Sequence, residues 1–409
     1  MTWPVTSYGE YLHVKHGYAF KGEHFDTDGP YVLLTPGSFN EGGGFRDRGA
    51  SAKFYTGDVP DGFVLDEGDL VVAMTEQAPG LLGSSAWIPE GGKYLHNQRL
   101  GRIVNLDEGR LIKRFVYYLF NTRKVRDQIS ATATGGKVRH TAPERIRKVA
   151  FRLPPIGTQL RICDVLSAYD DLLENNGRRM ALLEEAARQL FREWFARLRF
   201  PGHEHTPVID GVPEGWEPRT LAQCVTFRSG GTPAKSRPEF WEGDIPWVSS
   251  GEMADSRIYD TALHVTADGV DAGSRLVSPN TILAVVRGMS LAKEFRIAMV
   301  AREMAFNQDL KALECRDGVS PLFLFHSLLD RQEMIRDLAG EAAHGTKKLE
   351  TVVLERLPVL LPREQLQRLF VEAIQPMVAQ RDNLHAQNVR LQTARDLLLP
   401  RLMSGELAI

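Results

Sequence analysis

The stretch with the clearest pretension to chemistry is GEAAHGTK, residues 340–347, where glycines, a threonine and a lysine gather as in a loop that cradles phosphates. Such a loop sets its lysine before the Ser or Thr, so that the ammonium reaches the terminal phosphates while the hydroxyl takes magnesium. Here Lys347 follows Thr346, and no apolar strand leads in. The glycine runs at 42–44 and 230–231 lack the spacing of a dinucleotide-binding turn. His13 with His16, and His203 with His205, have metal-ligating types, but isolated histidine pairs read as surface residues. HExxH, GxSxG and clustered Cys/His sets do not occur. Nor do the Glu-x-Lys of a carboxylate-lysine nuclease core and the Asn-Pro-Pro-aromatic segment with which an adenine methyltransferase holds a flipped base. A chain without a reactive constellation reads as a recogniser or a scaffold, not an enzyme.

Charge is distributed unevenly. The formal net charge is −2, yet residues 110–152 hold twelve Lys and Arg against only Asp127 and Glu144. A basic segment on a nearly neutral protein suggests a polyanion met by one face. The same stretch, RLIKRFVYYLFNTRKVRDQI, also reads as an amphipathic helix with Phe115, Tyr118, Leu119 and Val125 turned inward, and the two readings are compatible. The 409 residues suffice for two or three domains, and 43% hydrophobic with 25% charged residues is a globular composition. Cys163, Cys224 and Cys315 are an odd, scattered set that fits neither a disulfide framework nor a zinc cluster. The N-terminus lacks a signal-peptide pattern and no 18 apolar residues run together, so a cytoplasmic protein without a membrane span is expected.

Two long helical patterns must position whatever does the recognising. In 155–200, Ile162, Val165, Tyr169, Leu172, Asn176, Met180, Leu183, Ala187, Leu190 and Trp194 follow at steps of three and four. Leu366, Phe370, Ala373, Met377, Gln380, Leu384, Gln387, Leu391, Ala394 and Leu398 do the same near the C-terminus. Side by side, as a coiled coil, the two helices would bury both stripes; the alternative is a pair of core helices in a larger α-domain. Gly177 and Pro376 lie inside the patterns, which makes Pro376 the place where a bend or break would fall.

Between the helices the parts recur. LDEGDLVVAMT (65–75) is answered by SPNTILAVVRG (278–288), HNQRLGRIV by FNQDLKALE, and RFVYYLF by PLFLFHSLL. With offsets near 210, Asn97-Gln98 matches Asn307-Gln308, Ala73 matches Ala284, Lys137 matches Lys348, and Glu144-Arg145-Ile146 matches Glu355-Arg356-Leu357. Landmarks in one order, each half closing on a long helix, signify duplication. Short strands are expected at 17–20, 31–34 and 245–248, and the linker PGHEHTPVIDGVPEGWEPR separates the halves.

The segment GGTPAKSRPEFWEGDIPWVSSGEM, the run VVRGMSLAKEF followed by REMAFNQDLKAL, the LPP-x(3)-Q helix start at 153–159, and the closing LLLPRLMSGEL together resemble the specificity subunit of type I restriction-modification enzymes. The likeness spans essentially the whole chain. It departs most in the first half, where GYAFKGEHFDTDGPYVLL is only loosely similar and PPIGTQ replaces a more acidic segment. The resemblance implies an α+β protein: two mixed α/β target recognition domains, separated by two long antiparallel helices in a coiled coil, with a pseudo-twofold internal repeat. The domains are then 1–153 and 213–361, with the helices in 154–212 (with the linker) and 362–409.

Each domain would read one half of a bipartite double-stranded DNA target. The helices would set the unread spacer and dock two modification subunits that carry S-adenosylmethionine and methylate adenine. Restriction subunits would add ATP- and Mg-dependent translocation and cleavage, leaving this chain without catalysis or cofactor. Basic side chains on loops set register on phosphates while a few reach base edges. The DNA-binding candidates are therefore Lys137, Arg139 and His140 in the first half, and Lys347 and Lys348 in the second. Arg228, Thr232, Lys235, Arg237 and Arg287 are further candidates, while Trp241 and Trp247 are expected in the core. The competing reading is a scaffold whose paired domains bind protein and not DNA.

Overall fold

The computed structural model describes residues 3–76, 80–341, 346–407 and 409, in two compact units: Met1–Gly177 with His385–Ile409, and Arg178–Leu384. Part of the stretch compared above with a phosphate loop, 342–345, lies outside the described residues. Helices and sheets mix in both units, as an α+β chain requires.

The first unit is built on Leu70–Ala73, a strand buried at every position. Leu70 and Val72 pack with Phe115, Val116 and Leu119, whereas Val71 and Ala73 pack with Val32, Leu34 and Ile88. Both faces are covered, so the sequence shows a continuous apolar run instead of an alternation. The sheet order is His13–His16, Leu100–Val104, Leu70–Ala73, Ser85–Trp87, antiparallel throughout.

The second unit repeats this scheme. Ile282–Val285 is the buried strand, sending Ile282 and Ala284 to Phe323 and Leu324, and Leu283 and Val285 to Val248 and Met304. Its sheet runs Val225–Ser229, Leu310–Cys315, Ile282–Val285, Ile297–Val300, with Arg257–Ile258 added in parallel at the edge. Secondary pairings recur too. Val5–Ser7 pairs Ala150–Arg152 as Glu217–Thr220 pairs Pro358–Leu361, and Tyr31–Leu33 runs parallel to Tyr94–Leu95 as Ile245–Val248 does to Met304–Phe306.

One buried side chain shows the duplication at atomic detail. Gln159, in the first turn of the first long helix, donates to the carbonyls of Pro154 and Arg110 (both 2.9 Å) and accepts from the amide of Ile112 (3.0 Å). Gln367 donates to Pro362 (2.9 Å) and Gly318 (3.1 Å) and accepts from Ser320 (2.8 Å). Both glutamines are almost fully buried, and every donor and acceptor finds a partner in an interior where an unpaired amide is costly. The LPP-x(3)-Q spacing seen in the sequence is therefore a structural joint, binding helix start to globular domain.

The first long helix is Ile156–Phe191, continued by a π turn at Arg192–Ala196; the second is Glu364–Ser404. Within the first unit their segments run antiparallel, joined by Arg395 to Asp170 (2.8 Å) and Asn176 to Asn388 (2.9 Å). Within the second, Arg381 meets Glu184 at 3.3 Å. The second helix is unbroken at Pro376. Pro376 and Glu372, whose carbonyl the proline leaves without a donor, are both solvent-exposed, so water can take that acceptor.

Other expectations need correction. Leu172 and Gln387 are exposed, and Asn388 instead meets Asn176. Each is reached by a step of three, which at about 100° per residue sets the side chain roughly 60° from the one before it, at the rim of the buried face. The expected basic helix is two, Lys113–Phe120 and Arg123–Ala131, because the Thr122 hydroxyl accepts from the amide of Val125 and starts a new N-terminus. The strand expected at 17–20 is His13–His16 instead. Gly17 ends it where a Cβ would lie 2.0 Å from the Asn97 carbonyl oxygen.

Candidate nucleic-acid interface

Each antiparallel sheet presents one end at which three strands release their loops. In the second unit the register Ser229↔Lys311 and Val285↔Leu310 brings together the starts of 230–237 and 286–293 and the turn at Asn307–Gln308. In the first, Gly101↔His16 and Leu100↔Ala73 place Gly17, Met74 and Asn97–Gln98 alike. A close backbone approach fixes both ends. Gly230 answers Gly17: a Cβ there would stand 2.3 Å from the Phe306 carbonyl oxygen and 2.5 Å from that of Asn307. Asn97 and Asn307 are buried, while Gln98 and Gln308 beside them are exposed.

A short ribbon flanks each end. In the first unit Thr75–Glu76 pairs Arg139–His140, and the turn before it carries Lys137 into solvent beyond Gly135, whose φ of +104° suits only glycine. The buried Glu76 takes three backbone amides on Oε2, from Gly80, Leu81 and Leu82 (3.1, 3.2 and 2.9 Å), and the Arg139 guanidinium on Oε1 (3.2 Å). Arg139 also donates to the Ser130 carbonyl, and His140 Nδ1 lies 3.2 Å from the Thr75 hydroxyl. Of the three first-half candidates, Lys137 is exposed, His140 faces Thr75, and Arg139 is tied to a buried carboxylate.

In the second unit Arg287–Gly288 pairs Lys347–Lys348, which pairs Gly340–Glu341 in turn. The carboxylates here are outside: Lys347 meets Glu341 at 3.8 Å and Lys348 meets Glu350 at 2.7 Å, both with exposed acids. Arg287 is exposed and has no side-chain partner among the described residues. Arg228 pairs with Glu314 at 3.0 Å, and Thr232 donates to Gln308 at 2.6 Å. Exposed pairs of this kind hold weakly and exchange readily for a phosphate.

Lys235 is exposed, and Arg237 pairs with Glu239 (2.8 Å) while lying over Phe240. Trp247 is buried and Trp241 partly so. Their indoles donate to the Gly231 and Ala234 carbonyls (3.0 and 3.3 Å), so these core rings also hold the 230–237 loop in place. Thus Thr232, Arg287, Lys347 and Lys348 come to one sheet end, with Arg228 on the strand that leads there. Sequence reasoning missed Gln98, Gln308 and Lys311 at these ends; the repeated Asn-Gln pair was the available signal.

Burial pushes His96, next to Asn97, down to about 4, so its ring is neutral when Nε2 faces the Leu100 carbonyl. Burial, with Asp170 alongside, raises Tyr118 far above the usual phenol range and keeps it a donor to that carboxylate at 2.7 Å. Tyr259 is raised by burial and by Asp382, to which it donates at 2.7 Å. Among the described residues no three His, Cys, Asp or Glu side chains gather as a metal site. His13 and His16, three apart on a strand, point to opposite faces. Among the described residues no helix is long and apolar enough to cross a membrane.

Residues 1–185 and 213–392 match the family described as the type I restriction modification DNA specificity domain. Over 323 residues the chain is 24% identical to the type I restriction enzyme MjaIX specificity subunit of Methanocaldococcus jannaschii, covering 76% of this chain and 73% of that one. Over 326 residues it is 22% identical to the HindI specificity subunit of Haemophilus influenzae, covering 64% and 70%. The crystal structure of a type I restriction-modification S subunit from M. genitalium shares the fold, with a TM-score of 0.54 at 17% identity over 98% of this chain and 96% of that one.

Proposed function

This chain belongs to the family of type I restriction modification DNA specificity domains, and on that premise we propose that each unit reads one half of a bipartite target in duplex DNA with the loop end of its sheet. Specificity subunits supply sequence recognition to a restriction-modification enzyme, and catalysis resides in partner subunits. The observation that carries the finer reading is the duplicated sheet end, with exposed Gln98 and Gln308 beside ribbons that bear Lys137 and His140 in one unit and Arg287, Lys347 and Lys348 in the other. Ammonium and guanidinium groups suit phosphates, and glutamine amides carry the paired donor and acceptor that match an adenine edge. A scaffold that binds only protein has no use for this arrangement, and family membership disfavours it.

The long helices, within 154–212 and 362–409, set the unread spacer and dock two modification subunits. Leu172, Leu182, Val389 and Leu397 stand exposed on them, apolar surface of the kind a bound partner covers. The modification subunits bring S-adenosylmethionine and methylate adenine, the restriction subunits bring ATP and Mg, and this chain holds no cofactor. The assembly works in the cytoplasm. Expression with its modification subunits, followed by mapping of methylated adenines, tests the reading. A two-part motif with a constant spacer is expected; methylation in an uninterrupted motif, or none that depends on this chain, overturns it.

A further inference from the structure

We propose that Met289 is a specificity-determining residue that contacts the C5 methyl group of a thymine in the half-target of the second unit; this rests on the DNA-reading role given above. Met289 is 78% exposed, more than any other large apolar side chain among the described residues. A lone apolar residue on a loose loop would carry no meaning. This one is held from both sides. Before it, Arg287 and Gly288 are paired into the ribbon with Lys348 and Lys347. After it, the single turn Ser290–Ala292 drives Leu291 into the core, fully buried, and Phe295 follows it there.

Gly288, at φ +139°, supplies the backbone conformation that turns the chain between ribbon and turn, one that a side chain would strain. The thioether is thus presented outward by a fixed frame. The ribbon beside it carries Arg287, which has no side-chain partner among the described residues, and Lys347 and Lys348, each in an exposed pair with a glutamate that a phosphate can replace. Cations that can lie along phosphates, with an apolar tip just beyond the end of their ribbon, fit a duplex groove. In the major groove the one apolar group on a base edge is the thymine methyl. In the sequence of the first unit the residue that follows the paired Thr75–Glu76 is Gln77, not an apolar one. The contact belongs to one half-target.

The test uses the full chain with its modification subunits and duplexes of the mapped target in which each thymine is replaced, one at a time, by deoxyuridine, which lacks only the methyl. One replacement, in the half read by the second unit, should weaken binding of the wild-type complex about fourfold, the factor for burying one methyl group. Met289→Ala should bind that thymine duplex and its deoxyuridine twin alike, and Met289→Leu should keep the preference. The inference is overturned if no single replacement weakens the wild type, or if Met289→Ala retains the preference. It is equally overturned if Met289→Ala loses affinity while the deoxyuridine penalty persists. A chain that directs no two-part motif fails earlier, at the DNA-reading role itself, so the two failures are distinguishable.

Discussion

The ribbons beside the two sheet ends share a backbone pairing and differ in where their carboxylates sit. In the first unit Glu76 is buried, saturated by three amides, and holds Arg139 as a strut. In the second, Glu341 and Glu350 lie in solvent, and Arg287 has no side-chain partner among the described residues. The lesson is that equivalent positions in a duplicated fold need not carry equivalent roles. A buried acid converts a basic residue from a ligand contact into architecture.

The largest test of that contrast is Glu76→Ala, which leaves three backbone amides and the partly exposed Arg139 guanidinium without their acceptor and should cost about 3–5 kcal/mol in denaturant unfolding. Lys347→Ala, in the other ribbon, should change stability by less than about 0.5 kcal/mol. Equal costs would erase the distinction.

The next effect is one the two units should share. Burial pushes His96 down to about 4, and burial, followed by Arg188 and Arg381, does the same for His326. The unfolded chain takes up protons near the ordinary histidine value while the folded chain refuses them. Stability is therefore complete above about pH 6.5 and falls as pH drops toward 4, by on the order of 3 kcal/mol for each ring. Unfolding midpoints across that range check it, and His326→Phe should remove about half of the slope. A flat profile would contradict the buried neutral rings.

Smaller still, Gln159→Ala and Gln367→Ala should each cost about 1–3 kcal/mol and should agree with each other, since their hydrogen bonds are the same three. Unequal losses would show that the joints are not equivalent. Smallest in stability, and the most direct on recognition, is Lys348→Ala. It should leave unfolding unchanged, weaken DNA binding across sequences, and lower the salt-dependence slope by about one. Arg139→Ala should chiefly lower stability instead.

Much of this was legible in the sequence because it lay in spacing. The repeated Asn-Gln pair, the two apolar runs 70–73 and 282–285, and the long helical stripes all mark positions with burial on a regular period. The glutamine joint was visible only as a spacing, since its meaning depends on carbonyls some 50 residues away, at Arg110 and Gly318. The Glu76–Arg139 pair was hidden for the same reason: 63 residues separate partners that only sheet pairing brings together. Leu172 and Gln387 were misplaced because a step of three along a helix lands at the rim of its buried face, about 60° from the residue before it. Charge alone located a basic region but could not tell a strut from a contact.

The central claim is that two homologous units each read their own part of one DNA target. Exchange of residues 1–153 for the corresponding segment of a relative with a different target, followed by mapping of methylated adenines, addresses it most directly. One half of the motif should change while the other half and the spacer persist. A motif that stays intact, or one in which both halves change together, would contradict the account.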